Sequence, residues 1–276
     1  MSGNLSNEVI VHKQRDGIGY LEFNCLSEYS DKLVHCITTK IGGIGNPSVK
    51  HSEASEHTRE NFKQLCNTII GIDYINLVFA NQVHEDVIRM VSQENRGEGV
   101  IRPRTEEGCD ALMTATPETA LVAFFADCVP ILFYDPEKNA IASAHAGWRG
   151  TVKKIAAKTA KKMIAQFGCD PENIIACIGP SIGDCCFEVD LPVKKEFENV
   201  FGCDSRIIKP LDSGKFKVDL WKSNIVQLLE IGLKLENIHY ANICTACNND
   251  IFYSYRADGR ETGRNYAIIQ LKSKKV

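Results

Sequence analysis

The chain lacks most of the features by which a partner class is usually read. A basic excess is missing: 32 Lys and Arg stand against 35 Asp and Glu, a formal net charge of -3. Broad electrostatic attraction to nucleic acid is therefore excluded as the organising property. No stretch approaches the roughly 18 uninterrupted apolar residues of a membrane-spanning helix. The N-terminal "MSGNLSNEVIVHKQRDG" has neither the basic start nor the apolar run of a secretion signal. A cytoplasmic protein that binds neither nucleic acid nor membrane is expected. No GxGxxG follows a strand-like segment, so a dinucleotide site is not expected. Repeats, low-complexity tracts and Pro/Ser-rich linkers are also absent, and 276 residues, 44% apolar, read as one compact domain spanning 1–276.

Cysteine, by contrast, is plentiful, with twelve in the chain. In a reducing cytoplasm these are free thiols, mostly acting as small buried hydrophobes. Cys185 and Cys186 are adjacent and cannot readily bridge each other. Cys244 and Cys247 form a lone CxxC without a second such pair, so structural thiols are expected at all four.

Hydrophobic patterning predicts a mixture of strands and helices. "GIGYLEFNC", "LVHCITTK", "NLVFANQVH", "ALMTA", "ALVAFFADCVPILFYD", "AIASAHAG", "NIIACIGPSIG", "YANIC" and "YAIIQL" read as strands. A helix is expected from about Thr58, with Phe62, Leu65, Cys66, Ile69 and Ile70 on one face and Gly71 ending it. The clearest helix covers 151–167, with lysines crowding its polar face, and two more are capped by Asp190 and Asp219. The order is that of an α+β fold, with mixed β-sheets sandwiched by helices (α/β/β/α layers).

Three residues interrupt or end otherwise apolar strands: His84 in "NQVHEDV", Cys128 in "FADCVP" and His145 in "ASAHAGWRG". Two imidazoles and a thiolate suit zinc, leaving a fourth position open for water or substrate. The same residues also suit a Cys128 nucleophile with His145 as base and Asp127 orienting the imidazole. A core cysteine with two hydrogen-bonded histidines is the plain alternative, and residue types do not separate the three. "HAGWRGT" adds a possible anion site, because Arg149 and the start of the 151–167 helix bring a guanidinium and unpaired N–H groups beside His145. Arg256 and Arg264 in "SYRADGRETGRNY", and Lys40 before two glycines in "TTKIGGIG", are further anion candidates.

Taken in order, "NQVHEDV", "GCDALMT", "FADCVPILFYD", "AHAGWRGT", "IGPSIGDCCFEVD" and "YSYRADGRETGR" resemble the YfiH/YlmD (DUF152) family, whose members are called laccase-domain or polyphenol oxidase proteins and purine nucleoside phosphorylases. The resemblance covers 34–271. It implies one zinc held by His84, Cys128 and His145, with Cu²⁺ possible in the same site. The implied activity is phosphorolysis of adenosine, inosine and S-methyl-5'-thioadenosine by a monomer or homodimer, with adenosine deamination at the side; purine nucleoside and inorganic phosphate are the implied partners. Within that chemistry Cys128, His145 and Asp127 are expected to take catalytic roles, and Arg149, Lys40, Arg256, Arg264 and Gln82 to contact substrate or phosphate; these roles are read from the residues rather than carried by the resemblance. Two positions depart from the family pattern: Lys40 replaces an arginine, and "YRADG" lacks a second arginine after Arg256. A multicopper oxidase is disfavoured, because the seven histidines contain no His-x-His pair. A Cys/His hydrolase or amidase acting on a cell-wall precursor, and a binding module without turnover, are the remaining readings.

Overall fold

A computed structural model describes residues 4–43 and 55–273. Positions 44–48 of the turn-rich "IGGIGNPS" lie outside the described residues.

Two six-stranded mixed sheets stack face to face. The first runs β1 (Ile10–Arg15), β2 (Ile18–Phe23), β3 (Leu33–Thr38), β15 (Asn265–Leu271), β7 (Ala120–Phe125) and β4 (Leu77–Phe79). The second runs β14 (Ile238–Tyr240), β10 (Ile175–Ile178), β8 (Val129–Asp135), β9 (Ala140–Ala146), β6 (Ala111–Thr114) and β5 (Ile88–Met90). Among the strands of the described residues, β7–β4, β10–β14 and β5–β6 pair in parallel and the rest antiparallel. A small third sheet, β11 (Glu188–Val189), β13 (Phe216–Val218) and β12 (Ile208–Pro210), completes the set.

Alternation along the central strands accounts for the layering. On β8, Val129, Ile131 and Phe133 face a helical layer while Leu132 and Tyr134 face the other sheet. On β15, Ala267 and Ile269 join that inter-sheet core, whereas Tyr266 and Ile268 turn outward to pack with Phe62 and Phe79. Both faces are covered, which is why these strands read as near-continuous apolar runs. One outer layer is α2 (Glu56–Leu65), following the short α1 (Asn24–Ser27). The other comprises α3 (Trp148–Val152), α4 (Ile155–Phe167), α5 (Leu191–Phe201) and α6 (Leu220–Glu230); α7 (Tyr255–Asp258) is a single turn near the C-terminus. Among the described residues no helix is long and apolar enough to cross a membrane.

Four expectations are corrected. The helix expected over 151–167 is two helices, broken where Lys154 adopts a left-handed conformation (φ 62°). Its cause is tertiary: Gln227 of α6 donates to the Thr151 carbonyl and Asn224 to its hydroxyl, so α3 is terminated by side chains from a neighbouring helix. The helix expected near Thr58 starts at Glu56, capped by Ser55, and its last turn, Cys66–Ile70, widens to π geometry before Gly71. The strand read in "NLVFANQVH" stops at Phe79, since Asn81 to His84 leave the sheet to build the site described next. Of "YANIC" only Tyr240 lies in a strand, the end of β14; Ala241 to Cys244 run on beside the segment after β10 with isolated bonds in place of a continuous ladder.

Candidate metal centre and cavity

Three links cross between the two sheets at one end of the sandwich: 80–87 and 126–128 carry the cluster, and 241–264, from β14 to β15, is tied to 126–128 through Asp127. Residues 126–128 link β7 of the first sheet to β8 of the second; residues 80–87 link β4 to β5. Cys128 lies at the end of the first link and His84 in the second. His145 lies on β9, paired with Pro130 and turned to the face opposite Ala144 and Ala146. The donor atoms of His84, Cys128 and His145 all lie within 4.8 Å of one another, with Cys128 Sγ 4.0 Å from His84 Nε2. Tetrahedral zinc bonds of about 2.0–2.3 Å set donors about 3.3–3.6 Å apart, so the cluster needs only a small closure to surround one ion.

A buried carboxylate that sequence reasoning passed over organises this cluster. Asp110, immediately before β6, accepts from His145 Nδ1–H at 2.8 Å, which leaves Nε2 as the free ligand atom. Asp110 Oδ1 also accepts from the His84 backbone N–H (3.0 Å), and Oδ2 accepts from Val83 (3.1 Å) and Glu85 (2.8 Å). His84 holds a left-handed backbone (φ 62°), and these three bonds are what fix it. "GCDALMT" contained the signal only in the sense that an acidic residue begins an apolar strand. The lysines expected to be a solvated face of the 151–167 helix also serve this loop: Lys153 pairs with Glu85, Lys158 with Asp86, and Lys162 Nζ donates to the Ile88 carbonyl.

Charge at the cluster is strongly coupled. Burial alone would raise the Cys128 thiol, but the imidazoles of His145 and His84 outweigh it and bring it down to about 6. Burial likewise works against a charged His145, yet the Cys128 sulfur and the Asp110 carboxylate lift it to about 9. Both shifts run the same way: the fold favours the Cys128 thiolate and the protonated His145 imidazole, and a bound cation would take the place of that imidazolium proton.

Gly147 supplies the room. A Cβ there would stand 3.0 Å from Cys128 Sγ and 3.1 Å from His84 Cδ2. The residue has ordinary extended dihedrals (φ -62°), so its backbone tolerates alanine and only the space is lost. Gly147→Ala is expected to fold normally while holding a divalent metal ion at these three donors about 10–100-fold more weakly, the range seen when a metal site's supporting shell is disturbed. Competition with a chelator measures this, and unchanged affinity would show that the three donors do not close on one ion.

The cluster lies in the wall of a cavity of about 600 Å³, bounded also by Phe124, Trp148, Ile182, Phe187, Tyr255 and the arginines at 149, 256 and 264. Arg149 is exposed and lies 4.3 Å over the Trp148 ring. Arg264 is half-buried and donates to the carbonyls of Thr262 and Gly263. Arg256 gives two N–H groups to the carbonyls of Cys186 (2.8 Å) and Glu188 (3.1 Å). Arg149 is the second residue of a helix that runs only five residues, Trp148–Val152, before its break, so the anion-binding helix N-terminus expected from 151–167 is not formed.

Three expected contacts take other places. Asp127, left-handed at φ 87°, accepts from Thr245 Oγ1 (2.6 Å), Ser254 Oγ (2.8 Å) and the Arg256 N–H (2.6 Å). Its carboxylate ties the β7–β8 link to the C-terminal loop, and the carboxylate that orients His145 is Asp110 instead. Gln82 lines the cavity but commits its amide to the backbone of Phe124, with bonds of 2.8 and 2.9 Å. Lys40 is not part of the cavity wall; its ammonium donates to the Asn249 carbonyl.

Residues 34–272 match the family described as multi-copper polyphenol oxidoreductase laccase. The chain is 35% identical to a purine nucleoside phosphorylase of Bacteroides thetaiotaomicron, over 95% of this chain and 99% of that protein. It is 31% identical to purine nucleoside phosphorylase YlmD of Bacillus subtilis, over 89% of this chain and 91% of that one. Among solved structures, the hypothetical protein YfiH of Bacillus licheniformis superposes with a TM-score of 0.84 at 31% identity, covering 92% of this chain and 96% of that one. YlmD of Geobacillus stearothermophilus gives 0.83 at 28% identity, covering 95% and 99%. A match of this extent, in sequence and in fold, is decisive: the chain belongs to the multi-copper polyphenol oxidoreductase laccase family, with YfiH, YlmD and the DUF152 proteins.

Proposed function

We propose that the protein is a zinc-dependent purine nucleoside phosphorylase that uses inorganic phosphate to cleave adenosine, inosine and S-methyl-5'-thioadenosine, and deaminates adenosine as a side reaction. The observation that carries this reading is the His84–Cys128–His145 cluster in the wall of an aromatic, arginine-rimmed cavity. The names of the phosphorylase relatives agree with it. The residues fit the metal: a soft thiolate, two imidazoles, a carboxylate that sets one tautomer, and a glycine that leaves space. Zinc held there would act as a Lewis acid and bring bound water toward a pKa of about 7.

The chain's own residues do the rest. Phe124, Trp148, Phe187 and Tyr255 offer apolar surface to a purine ring and exclude water from it. Arg149 and Arg264 present guanidinium groups to phosphate, held respectively by Trp148 and by backbone carbonyls. Arg256 contributes positive charge from a side chain already locked in place. Fixed charges of this kind favour the phosphate nucleophile and stabilise charge that develops as the glycosidic bond breaks. Asp127 is a positioning residue, holding the Arg256 segment against the β7–β8 link. Lys40 and Gln82 are not assigned substrate contacts.

Incubation with adenosine, with and without phosphate, tests the reading when products are identified by mass. Ribose 1-phosphate and adenine are expected only with phosphate, and a chelator is expected to stop their formation. Inosine as the sole product would overturn phosphorolysis in favour of a plain deaminase.

One observation favours a second reading. Cys128, His145 and Asp110 form a thiolate, imidazole and carboxylate series suited to a cysteine hydrolase or amidase, with Asp110 in the place earlier given to Asp127. It leaves His84 without a role. Activity that survives chelation and disappears on thiol alkylation would establish it.

A further inference from the structure

Four cysteines that this chemistry does not use converge beside the cavity. The parallel pairing of β10 with β14 continues beyond both strands as a bridge between Ser181 and Cys244. Ser181 N–H donates to the Ile243 carbonyl (3.2 Å), and Thr245 N–H to the Ser181 carbonyl (3.0 Å). Two turns are thereby laid side by side, one carrying Cys185 and Cys186, the other Cys244 and Cys247. All four Sγ atoms lie within 4.8 Å of one another, with Cys247 Sγ 3.5 Å from Cys185 and 3.4 Å from Cys186. A disulfide requires about 2.05 Å. Four metal–sulfur bonds of about 2.3 Å make a tetrahedron with edges of about 3.8 Å, close to the spacing found.

We propose that Cys185, Cys186, Cys244 and Cys247 bind a second divalent zinc ion as a closed four-thiolate site, releasing the four thiol protons to solvent. The surroundings are built for sulfur. Gly183 N–H donates to Cys244 Sγ at 3.3 Å, and a Cβ on Gly183 would stand 2.9 Å from the Trp221 ring and 3.2 Å from Cys185 Sγ. With all four positions protein-filled, the ion's role is structural. It staples two walls of the cavity: Ile182 and Phe187 on one turn, and on the other side Arg256, whose guanidinium already grips the Cys186 carbonyl and whose N–H, like the Thr245 hydroxyl, donates to Asp127.

The test is a metal count, which requires no turnover and is independent of the phosphorylase reading. Protein prepared under reducing conditions, loaded with zinc and dialysed is expected to hold two equivalents. Cys128→Ala and the double variant Cys185→Ser/Cys247→Ser are each expected to hold one, and Cys203→Ser, an exposed cysteine remote from both clusters, two. If the double variant does not fold, cobalt loaded into Cys128→Ala decides the matter, since only a four-thiolate site gives strong sulfur-to-cobalt charge transfer there. One equivalent in the wild type that Cys128→Ala abolishes would overturn the proposal. So would a mass lower by two hydrogen atoms per bridge, showing that the four sulfurs form disulfides.

Discussion

Replacing Cys128 with alanine is expected to empty the His84–Cys128–His145 centre and to lower phosphorolysis of adenosine by on the order of 10³-fold, about 4 kcal/mol of transition-state stabilisation. Cys128 is the one anionic donor among the three, and the two imidazoles that remain make a weak site. The loss alone does not separate a metal ligand from a nucleophile, because both readings need the thiol. Cys128→Asp separates them. A carboxylate is a competent zinc ligand but is no thiol, so this variant is expected to retain zinc and part of the activity, and to resist alkylating agents. Zinc content by elemental analysis, read beside phosphate-dependent adenine release, checks both variants. Full activity of Cys128→Ala would sink the metal reading, and complete inactivity of a zinc-loaded Cys128→Asp would move the case toward the nucleophile.

What could be read along the chain was set by whether a residue's role is local. The central strands announce themselves, since burial on both faces leaves no polar alternation in β8, β9 or β15. His84, Cys128 and His145 are visible because each is a polar or reactive side chain at the edge of such a run. The break at Lys154 is invisible in "TVKKIAAK", a sequence of competent helix formers, because it is imposed by Gln227 and Asn224 some seventy residues on. The four-cysteine cluster escapes for a similar reason. The partner of the CxxC is not another CxxC but an adjacent pair, brought in by a strand bridge that only the folded chain supplies. Arg256 is legible as a cation but not as one already bound to two carbonyls. Asp110 is the largest omission, because the four partners of its carboxylate lie on segments that meet only when the chain is folded.

The chemistry of those partners makes Asp110→Asn the second large effect. Oδ1 accepts from His145 Nδ1 and the His84 N–H, while Oδ2 accepts from the N–H groups of Val83 and Glu85. Asparagine keeps the size but turns one acceptor into a donor. Whichever way the amide is set, one pair of N–H groups faces an NH₂. The side chain is fully buried, so water does not relieve the conflict. Two unsatisfied donors cost about 1–3 kcal/mol each, and a loss of about 2–5 kcal/mol in urea-unfolding stability is expected. The functional consequence is separate: according to how the amide is set, either His145 loses the acceptor that fixes its tautomer or the His84 loop loses the bonds from Val83 and Glu85, and zinc affinity is expected to fall about 10–100-fold. A purely structural role would move stability alone. If Asp110 positions the metal ligands, added zinc restores much of the variant's phosphorolysis while its urea midpoint remains well below that of the wild type. If activity stays low at saturating zinc in the folded variant, Asp110 acts on the reaction itself, as the carboxylate of a Cys128–His145 pair would.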